Sequence, residues 1–361
     1  MAELRLYGYR FGRMSIHLIL ISILGLSLLA IVHETGHYLA ARAFGMCVTR
    51  FSIGFGPALV TYKPRNSPTT FQICAIPFLA YVMIAGMNPA EEVDPDDPTI
   101  YPNKSVFARI VTIFGGPFAN YLAASVFVFG LGIFYGWPDA KPSEPMVIET
   151  IEPGSPAALA GLQSGDVVVE ADGHHVRNVE QLIAATAPRA NKPTTYVIER
   201  GGTRLSPMTI TPKKAAKGGI IGVTPKLTYS HRVLSVGEAS VLALAYPYEL
   251  TKRNLQGIAE LIEHRTTEGI TGPVGMGKLM AEQAEKGVFN FIHILVAISV
   301  ALGLFNLLPF PALDGGRLVF LGYELVTRKR PNEHIEAAVH AVGLLFLLGV
   351  IALVTLRDVV G

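Results

Sequence analysis

Ser15–His37 reads SIHLILISILGLSLLAIVHETGH, an apolar run that leads straight into two histidines and a glutamate. A hydrocarbon core takes about 20 helical residues to cross, so Ser15–Val32 spans one or nearly does. Arg5, Arg10 and Arg13 precede it, as basic residues precede a signal peptide. The helical pattern continues through HETGHYLAARAF, however, and the small-x-small site Ala41-Arg42-Ala43 lies beyond that. The stretch is therefore read as a membrane span. Helical residues four apart lie on one face, one turn from each other. His33 and His37 can thus share one metal ion, with Glu34 beside them to take a proton from bound water. Ionisable groups at the end of an apolar helix are costly to bury and read as functional.

Zinc catalysis needs a third protein ligand and an open fourth position. No suitable residue follows within the same helix. Glu91 and Glu92 are the nearest acidic residues, in the acidic, proline-rich stretch Glu91–Pro98. The other candidate is Asp314, in Leu313-Asp314-Gly315-Gly316. An aspartate before a Gly pair is often only a cap or turn residue. Pro309 and Pro311 break an apolar span just before it, and broken membrane helices are tolerated where they line a cavity.

The rest of the chain fits a membrane protein. Of 361 residues, 50% are hydrophobic and 16% charged, against about 25% charged in soluble domains. Net charge is +2 and gives no reason to expect nucleic acid. Cys47 and Cys74 are too few for a disulfide framework or a four-cysteine zinc site. Further spans are expected at Ile110–Trp137, Phe291–Leu308 and His340–Leu356. Short β-rich runs (Thr49–Ile53, Ala58–Tyr62, Thr70–Ile76) predict a small sheet after the first span. Pro138–Pro145 reads as a linker. From Met146 to about Lys226 the composition is that of a soluble domain, with one helix expected at Val179–Ala187, capped by Asn178. The expected organisation is 1–137, two spans and the β-rich loop 44–103; 138–228, the soluble insert with its linker; 229–286, an amphipathic connecting segment broken at Gly269–Gly277; and 287–361, the last two spans. Four spans put both termini and the insert on one side. The other side carries Arg42, Arg50, Lys63, Arg65, Lys104, Arg109, Arg317, Arg328, Lys329 and Arg330, and is expected to be cytoplasmic. The N-terminal arginines dissent.

Several stretches together resemble the bacterial site-2 proteases, the intramembrane metalloprotease family that includes the regulator of sigma-E protease. They are His33–His37, Arg50-Phe51-Ser52-Ile53-Gly54-Phe55-Gly56-Pro57, Gly116-Pro117 with Asn120, Gly272-Pro273-Val274-Gly275 and Asn306-Leu-Leu-Pro-Phe-Pro-Ala-Leu-Asp-Gly-Gly-Arg317. They run in family order over nearly the whole chain. The resemblance implies a zinc endopeptidase with His33, His37 and Asp314 as metal ligands and Glu34 as catalytic base. Asn306, with Pro309, Pro311 and Asn120, is implied in positioning substrate. It further implies a bacterial inner membrane location and single-span membrane proteins as substrates, such as membrane-anchored anti-sigma factors or remnant signal peptides. Family members usually have Gly-Gly where this chain has Leu79-Ala80.

The insert resembles a PDZ domain through Pro153-Gly-Ser-Pro-Ala-Ala-Leu-Ala-Gly-Leu-Gln-Ser-Gly-Asp166 and Asp172-Gly173. The fold class implied is a multi-span α-helical membrane protein with a β-rich loop and an inserted α+β PDZ domain. PDZ domains bind extended peptides by strand addition. The Gly-Leu-Gly-type carboxylate loop is missing before Met146, so the insert is expected to act either as a peptide binder or as a size filter for substrates.

Overall fold

The apolar run at the head of the chain is a single helix. In the computed structural model, which describes residues 16–88, 91, 94–215, 218–264 and 271–360, α1 covers Ile16–Ala43. Arg5, Arg10, Arg13, Glu92 and Gly269 lie outside the described residues. α1 stops where Gly45 takes φ +65°, and the Met46 N–H reaches back to the Ala41 carbonyl at 2.8 Å. Gly136–Val233 forms one compact unit, and the chain before and after it forms another.

In the larger unit, α1 is followed by β1 (Val48–Tyr62) and β2 (Thr70–Ile84), which pair antiparallel. Both strands bend, so that Ile53 pairs with both Ile73 and Ala80. The far flank of 80–84 has no strand partner among the described residues. The bend runs through Leu79, at φ +67°. A branched side chain there costs about 1–2 kcal/mol, and this is a position at which the family resemblance implies glycine. The sheet therefore keeps its turn without the Gly pair.

α2 (Val106–Phe134) begins at Ser105, whose hydroxyl accepts the Ala108 N–H at 3.2 Å. It crosses α1 at two glycines: a methyl on Gly36 would collide with the Gly115 backbone. Together with α7 (Val288–Leu307) and α9 (Glu333–Val360), these helices supply the four segments, among the described residues, long and apolar enough to cross a membrane. α5 (Val236–His264) is amphipathic, as the sequence implies. α6 (Pro273–Glu285) starts inside the expected glycine break, with Gly272 at its N-cap and Pro273 in its first turn. The Asp358 carboxylate near the end of α9 accepts the Gly275 N–H at 2.8 Å. The connection between the last two apolar helices contains α8 (Asp314–Thr327).

The insert opens with β3 (Trp137–Pro142), paired with β13 (Leu227–Arg232). The stretch read as a linker is thus partly strand. Pro138 and Pro142 hid it, because proline is confined to edge and terminal strand positions. β4 (Ile148–Ile151) pairs with β12 (Val223–Pro225). β5 (Val167–Ala171) lies between β6 (His174–His175) and β7 (Thr194–Arg200), and β7 also pairs β8 (Thr203–Arg204) and β9 (Met208–Ile210). β10 (Lys213–Ala215) pairs β11 (Gly218–Ile220). α3 (Pro156–Leu159) is a single turn, and α4 (Val179–Thr186) is capped by Asn178, which accepts the Gln181 N–H at 3.0 Å. Met146, Val168, Tyr196 and Ile198 are fully buried in the insert's core. A glycine-rich segment, Gly218-Gly219-Ile220-Ile221-Gly222, comprises β11 and the two residues after it. It packs on the chain that follows α4, where a methyl on Gly219 would meet the Thr186 carbonyl.

Candidate metal centre

His33 and His37 stand one turn apart on α1, and α2 passes directly behind them. The contact depends on Gly116: a methyl there would overlap the rings of both histidines. Each ring is oriented through Nδ1. That of His37 lies 2.8 Å from the Thr112 carbonyl, an acceptor, so Nδ1 carries the proton. That of His33 lies 3.1 Å from the Asn120 amide nitrogen, while the buried Asn120 Oδ1 has no partner. Turning the amide over cures this, because Oδ1 then accepts the His33 Nδ1–H. Asn120 is itself held by Ser299, whose hydroxyl donates to the Asn120 carbonyl at 2.9 Å.

With both Nδ1 atoms protonated, both Nε2 atoms present lone pairs. They lie 3.1 Å apart, and at 3.1 Å (His33) and 3.3 Å (His37) from Asp314 Oδ2. No proton is left to join these three acceptors. Their spacing matches the edge of a tetrahedron around zinc with bonds near 2.0–2.1 Å, about 3.3 Å. The donor set therefore fits a zinc ion. His33, His37 and Asp314 are the cluster of potential metal ligands among the described residues.

Asp314 reaches this point as the first residue of α8. The loop before it folds tightly over the first turn of that helix. A methyl on Gly315 would collide with the Leu308 carbonyl and one on Gly316 with that of Phe310, which explains the glycine pair. Ala312, at φ +76°, donates its N–H to His340 Nδ1 at 3.0 Å, and Pro311 packs against Gly343. His340 on α9 thus holds the loop two residues before Asp314. Asn306, at the end of α7, donates to the Leu302 carbonyl of its own helix at 3.0 Å. Pro309 and Pro311 shape the loop rather than touching the ligand atoms. Glu91 lies elsewhere and accepts the Gly86 N–H at 2.9 Å.

Glu34 has His37, His33 and Asp314 as its charged neighbours and takes a hydrogen bond from the Val82 backbone. The edge segment 80–84 is therefore beside the carboxylate. Sequence patterns identify none of Thr112, Val82, Ser299 or His340 as part of the site. The first two act through backbone atoms, which no residue pattern reports. Ser299 and His340 each sit alone in an apolar helix.

The chain matches peptidase family M50 over residues 21–350. A Nostoc protein named as a zinc metalloprotease is 31% identical over 341 residues, covering 92% of this chain and 93% of that protein. A similarly named protein of Mesorhizobium japonicum is 32% identical over 363 residues, covering 93% and 96%. Among solved structures, the PDZ domain of the SdrC-like protein from Listeria monocytogenes matches with 20% identity and a TM-score of 0.21, covering 23% of this chain and 88% of that one.

Proposed function

The chain belongs to peptidase family M50, the site-2 proteases, and from that premise we propose that this membrane-embedded zinc metalloprotease cuts peptide bonds inside the transmembrane segments of other proteins. The observation that carries the reading is the position of the donor set. Two ligands sit in the second half of α1, and the residues that orient them sit in α2, both helices long and apolar enough to cross a membrane. A site at such depth is out of reach of ordinary soluble loops.

His33, His37 and Asp314 hold the metal in this reading, with Asn120 and the Thr112 carbonyl fixing the two imidazoles. When bound, zinc supplies the Lewis acid that polarises a scissile carbonyl and acidifies water. Glu34 accepts the proton of the attacking water and returns it to the leaving amine. A helical peptide bond is shielded by its own turn, so the substrate has to be extended. The unpaired edge at 80–84 offers main-chain groups to such a strand beside Glu34. Asn306, Pro309 and Pro311 are assigned to the wall along which the substrate is placed. The β-rich loop and the Arg328–Arg330 cluster are assigned to the cytoplasmic side of a bacterial inner membrane, and the insert to the opposite side. Single-span membrane proteins are the substrate class.

The test compares the wild type with Glu34→Gln, both purified in detergent and offered a single-span substrate. The variant should keep its zinc and lose cleavage. Undiminished cleavage by the variant would remove Glu34 from the chemistry.

A further inference from the structure

A cavity of about 730 Å³ opens where α2 and α9 begin, walled by α8 and by residues 86–88, 91, 95 and 100–103. The three acids on its wall are engaged. Glu324 is bridged to Arg109 at 2.5 Å and stands 3.9 Å from Arg330. Glu91 accepts the Gly86 N–H, and Glu336 has interactions of its own. Arg317 also lines the cavity, yet it makes no hydrogen bond or ion pair among the described residues. His340 lines it too. Its Nδ1 accepts the Ala312 N–H, so the ring proton is on Nε2. That Nε2 is buried without a hydrogen-bond partner. Two donors on one wall therefore lack a protein acceptor, and the buried one, His340 Nε2–H, carries a cost of about 1–3 kcal/mol if left unpaired.

We propose that this cavity binds a phosphate oxyanion, held by Arg317 and the His340 Nε2–H and supplied by the headgroup of an anionic lipid. The lipid is favoured because the cavity lies at the ends of two helices able to cross a membrane, which is headgroup depth. Arg328 and Lys329 add positive charge beside Arg330 in the turn after α8. The site bears on the metal centre. Arg317 lies one turn after Asp314 on α8, and His340 holds Ala312 two residues before it. A bound phosphate would brace both flanks of the loop that presents the ligand. The inference rests on reading α2 and α9 as membrane spans and does not depend on proteolysis.

The experiment is native mass spectrometry of the zinc-loaded full chain, titrated separately with dioleoylphosphatidylglycerol, dioleoylphosphatidylcholine and inorganic phosphate. Phosphatidylglycerol should be retained as one adduct, and more tightly than phosphatidylcholine, whose ammonium offsets its phosphate. Arg317→Gln should weaken that adduct by about tenfold, the worth of one charge-assisted hydrogen bond. Arg317→Lys should restore part of it, and Lys252→Gln, on α5 away from the cavity, should leave it unchanged. Zinc content equal to wild type shows that each variant is folded; should Arg317→Gln fail that check, His340→Gln takes its place. Inorganic phosphate bound with the same Arg317 dependence, without phosphatidylglycerol, would keep the oxyanion site and overturn the lipid source. Adducts indifferent to both substitutions, or no adducts at all, would overturn the site.

Discussion

At the scale of single residues, the proposed metal centre divides into atoms that would hold the ion and atoms that orient them. His33→Ala, His37→Ala and Asp314→Ala each remove a member of a three-atom set and should each lose zinc and cleavage together. Metal analysis beside a cleavage assay checks this, and full zinc with retained cleavage in the Asp314 variant would remove it from the set. Asn120→Ala leaves the three atoms in place but frees the His33 ring. Zinc affinity should fall about 10–100-fold, the usual cost of losing a partner behind a ligand; unchanged affinity would mean Asn120 does not orient His33. The histidine pair was legible because two residues at helical spacing suffice to define it. Asp314 was open from the residues alone, since a cap aspartate and a ligand look alike in sequence. Here it is both the first residue of α8 and a neighbour of both imidazoles.

At the scale of elements, what stayed hidden shares one cause: the partner is distant in the chain. α4 and its Asn178 cap could be read because a cap and its helix are adjacent. β3 could not, since its partner β13 lies some ninety residues on and two prolines blur its pattern. The double use of β1 by the two ends of β2 left no trace either, yet it creates the edge beside Glu34. The insert has a clasp of the same long-range kind. Asp166, with its side chain 1% exposed, accepts from Arg200 Nε at 2.7 Å and Nη2 at 2.8 Å, and from the Gln163 N–H at 2.8 Å. Burial alone would raise its pKa, but the Arg200 and Gln163 hydrogen bonds hold it below the ordinary carboxylate value. A depressed folded-state pKa adds stability that is present above the unfolded-state pKa and is lost as pH falls through the folded one. The insert should therefore keep this contribution at neutral pH and lose it in acid below about pH 4. Asp166→Asn should cost about 2 kcal/mol at pH 7 and remove that acid dependence. Trp137 is the chain's one tryptophan and sits in β3, so its fluorescence follows the insert within the full chain. Equal melting of the variant and wild type at pH 7 would deny the clasp its role.

At the scale of the whole molecule, the chain is a catalytic unit interrupted by a domain that enters and leaves through one ribbon. A methyl on Gly136 would touch the Arg232 and Val233 backbones, so the two ends of the insert meet. Replacing 137–232 with a short flexible linker should therefore leave the helices folded and zinc-loaded. If the insert is a size filter, the shortened chain should still cut trimmed substrates and should newly cut those that keep a large external domain. Loss of trimmed-substrate cleavage with zinc retained would favour direct recruitment. An intramembrane protease is defined by where the bond is broken. Purified enzyme should be incubated with a panel of single-span proteins, and the product termini read by mass spectrometry against Glu34→Gln. New termini should appear inside the apolar span and be absent with the variant; termini confined to the soluble flanks would rule out cleavage within the membrane.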